Sequence, residues 1–114
     1  MAMKSFNLAP GRRIGRHYRV GNLLGAGTEG EVYRITEEVT GIHRAAKLFF
    51  PTKRAKKISV QFARKLESMR RCEVVLHYYH TEKMKIRGEE VIAVISELCE
   101  GRPLQKWMDE SRGA

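Results

Sequence analysis

The sequence predicts an α+β fold, a five-stranded antiparallel sheet with one helix packed on it. Two observations carry this prediction. Short segments with the period-two alternation of strands are joined mostly by links of hairpin length, so neighbouring strands run antiparallel. One internal stretch instead carries apolar residues at steps of 4, 4 and 3 (Ile58, Phe62, Leu66 and Met69), which is the stripe of an amphipathic helix. Strands joined by short links with a single helix make a layered α+β unit.

The elements follow in order. Residues 1 to 17 form a basic lead-in with Pro10 and Gly11, expected to be loose. "YRVGNLL" (Tyr18 to Leu24) alternates as a first strand, and "EVYRIT" (Glu31 to Thr36) as a second. A glycine-rich hairpin joins them. "EEVTG" turns at Gly41, and "IHRAAKLFF" (Ile42 to Phe50) is a third strand stopped by Pro51. The helix lies within "TKRAKKISVQFARKLESMRRC", with Lys53, Arg54, Lys56, Lys57, Arg64 and Lys65 on its solvated side. "VVLHYYHTE" (Val74 to Glu82) reads as a fourth strand, "KMKIRGEE" as a turn segment around Gly88, and "VIAVISE" (Val91 to Glu97) as a buried fifth strand. "LQKWMDE" begins a short helix in which Trp107 and Met108 are anchors.

Size and composition bound the function. A chain of 114 residues holds one domain. The longest apolar run is Val91 to Ile95, far short of a membrane span. The first residues lack the apolar core of a secretory signal. Cys72 and Cys99 lie far apart without metal-ligand spacing, so they are expected as reduced thiols in a cytoplasmic protein. The net charge of +9 admits a basic interaction domain for nucleic acid, but no nucleic-acid module accompanies the charge. One anionic ligand site and a solvated basic helix account for it. His77 and His80 are three apart on a strand and face opposite sides, so no metal site is expected from them.

The chemistry is concentrated in "GAGTEGEV". Gly25, Gly27, Gly30 and Val32 follow the pattern G-x-G-x-x-G-x-V. A dinucleotide fingerprint needs a helix N-terminus after its glycines, and here a strand follows. A hairpin with a bare turn can instead lie over phosphates, its backbone N–H groups serving as donors. Lys47 lies 17 residues past Gly30, inside the third strand. If its side shares the sheet face beneath the glycine turn, its ammonium meets the same phosphates. Ala45 shares that face by the strand period and leaves room for a flat ring.

With these residues the sequence resembles the protein kinase family. "LGAGTEGEVY" corresponds to its glycine-rich loop, "AAK" to its strand lysine motif, and "VISELCEG" to its fifth strand and hinge. The wording is most similar to bacterial serine/threonine protein kinases. The resemblance implies a small-lobe fold over residues 18–99, with 100–114 leaving the hinge. It implies that Leu24, Val32, Ala45 and Val75 line an adenine pocket. Gly25, Ala26, Gly27 and Gly30 would cover the phosphates of ATP, and Lys47 would bind them. Ser96 would stand at the back of the pocket, and Glu97 and Cys99 would offer backbone groups to the adenine edge.

The family pairs its strand lysine with a helix glutamate. Leu66, Met69, Val74 and Val75 fit the family's apolar offsets of 4, 7, 12 and 13, which puts Phe62 at the glutamate position. Glu67 is retained as a partner for Lys47, with Glu73 behind it. At about 100° per residue, Glu67 lies five residues round from Phe62, near Arg70 and Arg71. The chain contains no H-R-D-x-x-x-x-N and no D-F-G. The catalytic base and Mg²⁺ ligands are therefore expected in a large lobe elsewhere in a longer polypeptide, and this segment alone is expected to be inactive and to bind ATP weakly. Its face toward that lobe is expected to make the isolated segment a homodimer. Two alternatives stand beside an active kinase: a pseudokinase-type binding or scaffolding module, and the basic interaction domain. The protein substrate is not legible.

Overall fold

The computed structural model describes residues 5–68 and 78–98. Its single sheet has six strands in the order β1-β2-β3-β4-β6-β5, every neighbouring pair antiparallel. The strands are β1 (Arg13–Ile14), β2 (Tyr18–Ala26), β3 (Gly30–Glu37), β4 (His43–Phe49), β5 (Tyr78–Ile86) and β6 (Glu89–Glu97). The helix α1 (Ala55–Ser68) follows β4 and contacts β5 and β6.

The expected five-stranded sheet is thus corrected to six strands. The added strand is β1, two residues long and paired as Arg13↔Arg19 and Ile14↔Tyr18. Two residues are too few to show alternation, which is why the pattern did not reveal it. The expected fourth strand, Val74 to Glu82, reaches further than its expected end, and its first four residues lie outside the described residues. It runs Tyr78–Ile86, so Lys83 to Ile86 extend the ladder, and the turn contracts to Arg87 and Gly88. Both of these residues have positive φ, 52° and 81°, as a two-residue primed hairpin requires. The expected last helix, with Trp107 and Met108, lies outside the described residues.

Strand β4 explains the layering. Its Ala45, Lys47 and Phe49 point to one face, and Ala46 and Leu48, with Phe50 just past its end, to the other, all of them buried. A strand apolar on both faces needs cover on both. On one face α1 supplies it. Phe62 and Leu66 join Val32, Ala45, Phe49 and Val94 in a cluster, with Ile58 and Ala63 packed against it. The rings of Phe49 and Phe62 meet edge-on at 5.8 Å.

On the opposite face the cover is the lead-in. Phe6, Leu8 and Ile14 belong to the larger cluster with Val20, Tyr33, Ile35, Leu48, Phe50 and Ile95. Phe6 is wholly buried and packs on Phe50 at 5.0 Å. Residues 5–14 are therefore a strap rather than the loose lead-in the composition suggests. Polar anchors hold it. Glu31 is buried and accepts hydrogen bonds from the Phe6 backbone N–H at 3.0 Å, the Tyr33 hydroxyl at 2.8 Å and the Ser5 hydroxyl at 3.1 Å. The Arg87 guanidinium donates to the carbonyls of Ser5 and Phe6. Burial and the bond to Glu31 push the Tyr33 phenol up to about 12. Among the described residues no helix is long and apolar enough to cross a membrane.

Candidate functional site

The site grows from the turn between β2 and β3. Strand β2 shifts register twice against β3 on approaching it, between Val20 and Leu23 and between Leu23 and Gly25. Such irregularities bend a strand out of plane. The turn closes with the Gly27 N–H donating to the Gly30 carbonyl at 3.0 Å, and the Phe50 N–H donating to the Glu29 carbonyl at 2.9 Å. Gly30 has a steric reason to be glycine. A Cβ there would stand 1.9 Å from the Leu48 carbonyl oxygen, so only bare backbone can pass.

Lys47 lies beneath this turn. The register Val32↔Lys47↔Val94 puts it mid-sheet, on the helix-covered face. Its side chain is only 7% exposed. The ammonium stands 4.5 Å from the centre of the Phe62 ring and 5.2 Å from that of Phe49. It donates to the Glu29 carboxylate at 3.1 Å, and that side chain is 30% exposed. A buried ammonium is stabilised by such an opposite charge accepting its N–H bonds. Glu29 is a site residue that the sequence reading missed. Its acid was visible inside the glycine motif, but its pairing across the turn is a tertiary contact.

The remaining expected residues fall around this centre. Val32 and Ala45 are buried in the same cluster, and Leu24 is half-buried against it. Gly25 lies opposite Val32, and Ala26 opposite Glu31. Ser96 lies opposite Ala45. It is fully buried, and among the described residues its hydroxyl has no hydrogen-bond partner. Glu97, opposite Arg44, ends β6 in an exposed position. The Phe62 ring lies against the Lys47 ammonium, and Glu67 is exposed on α1. Val75, Glu73 and Cys99 lie outside the described residues.

A second polar group sits at the sheet's other end. Arg44 pairs with Glu37 and lies 3.8 Å over the Tyr79 ring. The Arg44 hydrogen bond holds the Glu37 carboxyl below its ordinary range. His80 links Glu82, at 2.7 Å, to the Tyr18 hydroxyl, at 3.3 Å. Burial above all, then Glu82, raises the Tyr18 phenol.

Among solved structures, the backbone matches the crystal structure of PF14_0431, kinase domain, with a TM-score of 0.68 over 82% of this chain. The chain resembles the small lobe of a kinase domain. At 16% identity this likeness concerns the fold alone, and the chain spans 28% of the length of that kinase-domain chain. No family model matches the sequence, and no curated protein matches it. Lys47 and Ser96 lie on the same, helix-covered face of the sheet, and Glu29 of the glycine turn reaches Lys47 there.

Proposed function

We propose that this small lobe binds ATP beneath the glycine turn and serves a serine/threonine protein kinase. The observation that carries the reading is Lys47, a buried ammonium on the helix-covered face, joined to the tip of a bare-backbone hairpin. Phosphoryl transfer relies on positioning and neutralising phosphate charge, and a lysine held under a flap of N–H donors suits that task. Ala45 and Val32 offer an apolar floor for a flat base. The Ser96 hydroxyl behind them, without a partner among the described residues, offers a polar contact at the rear of the pocket. Mg²⁺ and the catalytic base would come from a large lobe.

The test uses the natural polypeptide that carries this segment. Lys47→Ala is expected to weaken ATP binding by at least about tenfold and to abolish most phosphotransfer. Unchanged affinity together with unchanged transfer would sink the proposal. A second reading has its own observation. Phe62 presents an apolar ring to Lys47 where an active kinase of the resembled family presents a glutamate. This favours a pseudokinase-type binding module, which would bind ATP through Lys47 without measurable transfer to protein.

A further inference from the structure

The glycine turn closes its own phosphate site. We infer that Glu29 is a built-in gate, its carboxylate occupying Lys47 in place of a phosphate until a nucleotide displaces it. The inference rests on the ATP reading and adds regulation to the same site.

Two independent contacts support it. The first is charge. A carboxylate oxygen and a phosphate oxygen are equivalent acceptors for an ammonium. The Glu29 oxygen stands 3.1 Å from the Lys47 nitrogen, at bonding distance. It comes from the tip of the hairpin that would cover the phosphates. The second is donors. Phosphate capture by such a hairpin uses its backbone N–H groups, and the Gly27 N–H is already spent on the Gly30 carbonyl. The turn therefore engages one of its own donors and the lysine internally.

The exposures make the gate reversible. Lys47 is 7% exposed and needs an anion at all times, whereas Glu29 is 30% exposed. A displaced Glu29 regains water as it leaves, so exchange for phosphate costs the carboxylate little. Lys47 then exchanges the Glu29 carboxylate for a phosphate oxygen at the same distance scale. The Phe50 bond to the Glu29 carbonyl and the bare approach of Gly30 to Leu48 fix the base of the hairpin. Opening therefore belongs to the Glu29 side chain and the turn tip, not to the strands.

The experiment compares wild type, Glu29→Gln, Lys47→Ala and the double variant in the natural polypeptide. Equilibrium binding of ATP and of inorganic tripolyphosphate is measured by calorimetry. In parallel, acylation of Lys47 by a trace of amine-reactive ester is followed by mass spectrometry, normalised to the exposed Lys57. The expected result is faster acylation of Lys47 in Glu29→Gln. Both anions should then bind about fivefold to tenfold tighter than to wild type, a gain that disappears in the double variant. Unchanged acylation, or Lys47-dependent ATP binding that Glu29→Gln fails to tighten, would overturn the gate and leave the ATP reading standing. Absence of binding by either anion in every variant would overturn the ATP reading and the gate with it.

Discussion

The two faces of the sheet are covered in different ways. The helix face is closed by a regular element, α1, and keeps a buried charge, Lys47, beside the candidate site. The strap face is closed by irregular chain, residues 5–14, over a larger apolar cluster with its polar anchor, Glu31, set into β3. Both covers fasten to the same short region. Glu29, in the turn, holds Lys47 on one face, and Glu31, two residues on, holds the strap on the other. The comparison teaches that the segment after Gly27 is a junction: one acid serves the ligand side, and the next serves stability.

The largest test of this picture is truncation of the strap. Phe6→Ala is expected to cost about 3–5 kcal/mol in urea unfolding, the same range as Phe62→Ala on the helix face. A loose lead-in would lose less than about 0.5 kcal/mol, so a small value would break the symmetry of the two faces.

Next in size is the anchor. Glu31→Ala leaves the Phe6 N–H and the Tyr33 hydroxyl without their acceptor, at a cost of about 2 kcal/mol. Glu31→Gln keeps an acceptor and should lose less. Neither change should alter the acylation rate of Lys47, because Glu31 serves the strap face. If Lys47 responds as it does to Glu29→Gln, the division of labour fails.

The smallest effect concerns alkaline pH. The Tyr33 phenol is raised from 10.0 to about 12 in the folded state, so folding favours its protonated form. That contribution is complete below the unfolded value and is lost as pH rises through the folded one. Stability should therefore fall between about pH 10 and pH 12. Tyr33→Phe should flatten this fall, while costing about 1 kcal/mol at neutral pH. An unchanged alkaline slope in melting temperature would show that Tyr33 does not report the strap.

Much of the helix face was legible in the sequence. The alternation around Lys47, the spacing from Gly30 and the helical stripe through Phe62 and Leu66 are local patterns with fixed periods. The strap was not legible in the same way. Phe6, Leu8 and Ile14 are separated by Pro10, Gly11 and two arginines and follow no period. Their burial depends on contacts far along the chain. A signal for the missing layer was nevertheless present. "AAKLFF" in β4 and "VIAVIS" in β6 run almost unbroken in apolar residues, and a sheet buried on both faces needs two covers, of which α1 supplies one. The Glu29–Lys47 pair lay beyond pattern reading because a turn's side-chain direction follows from its bends, not from a repeat.

The bond between the Arg87 guanidinium and the Phe6 carbonyl also sets an order in time. Its partners are 81 residues apart. Ribosomes add about 5–20 residues per second, so Phe6 emerges about 4–16 s before Arg87 does. The strap is thus made well before the arginine that fastens its carbonyls. Until Arg87 emerges, the strap can rest only on earlier partners such as Glu31, Tyr33 and Phe50.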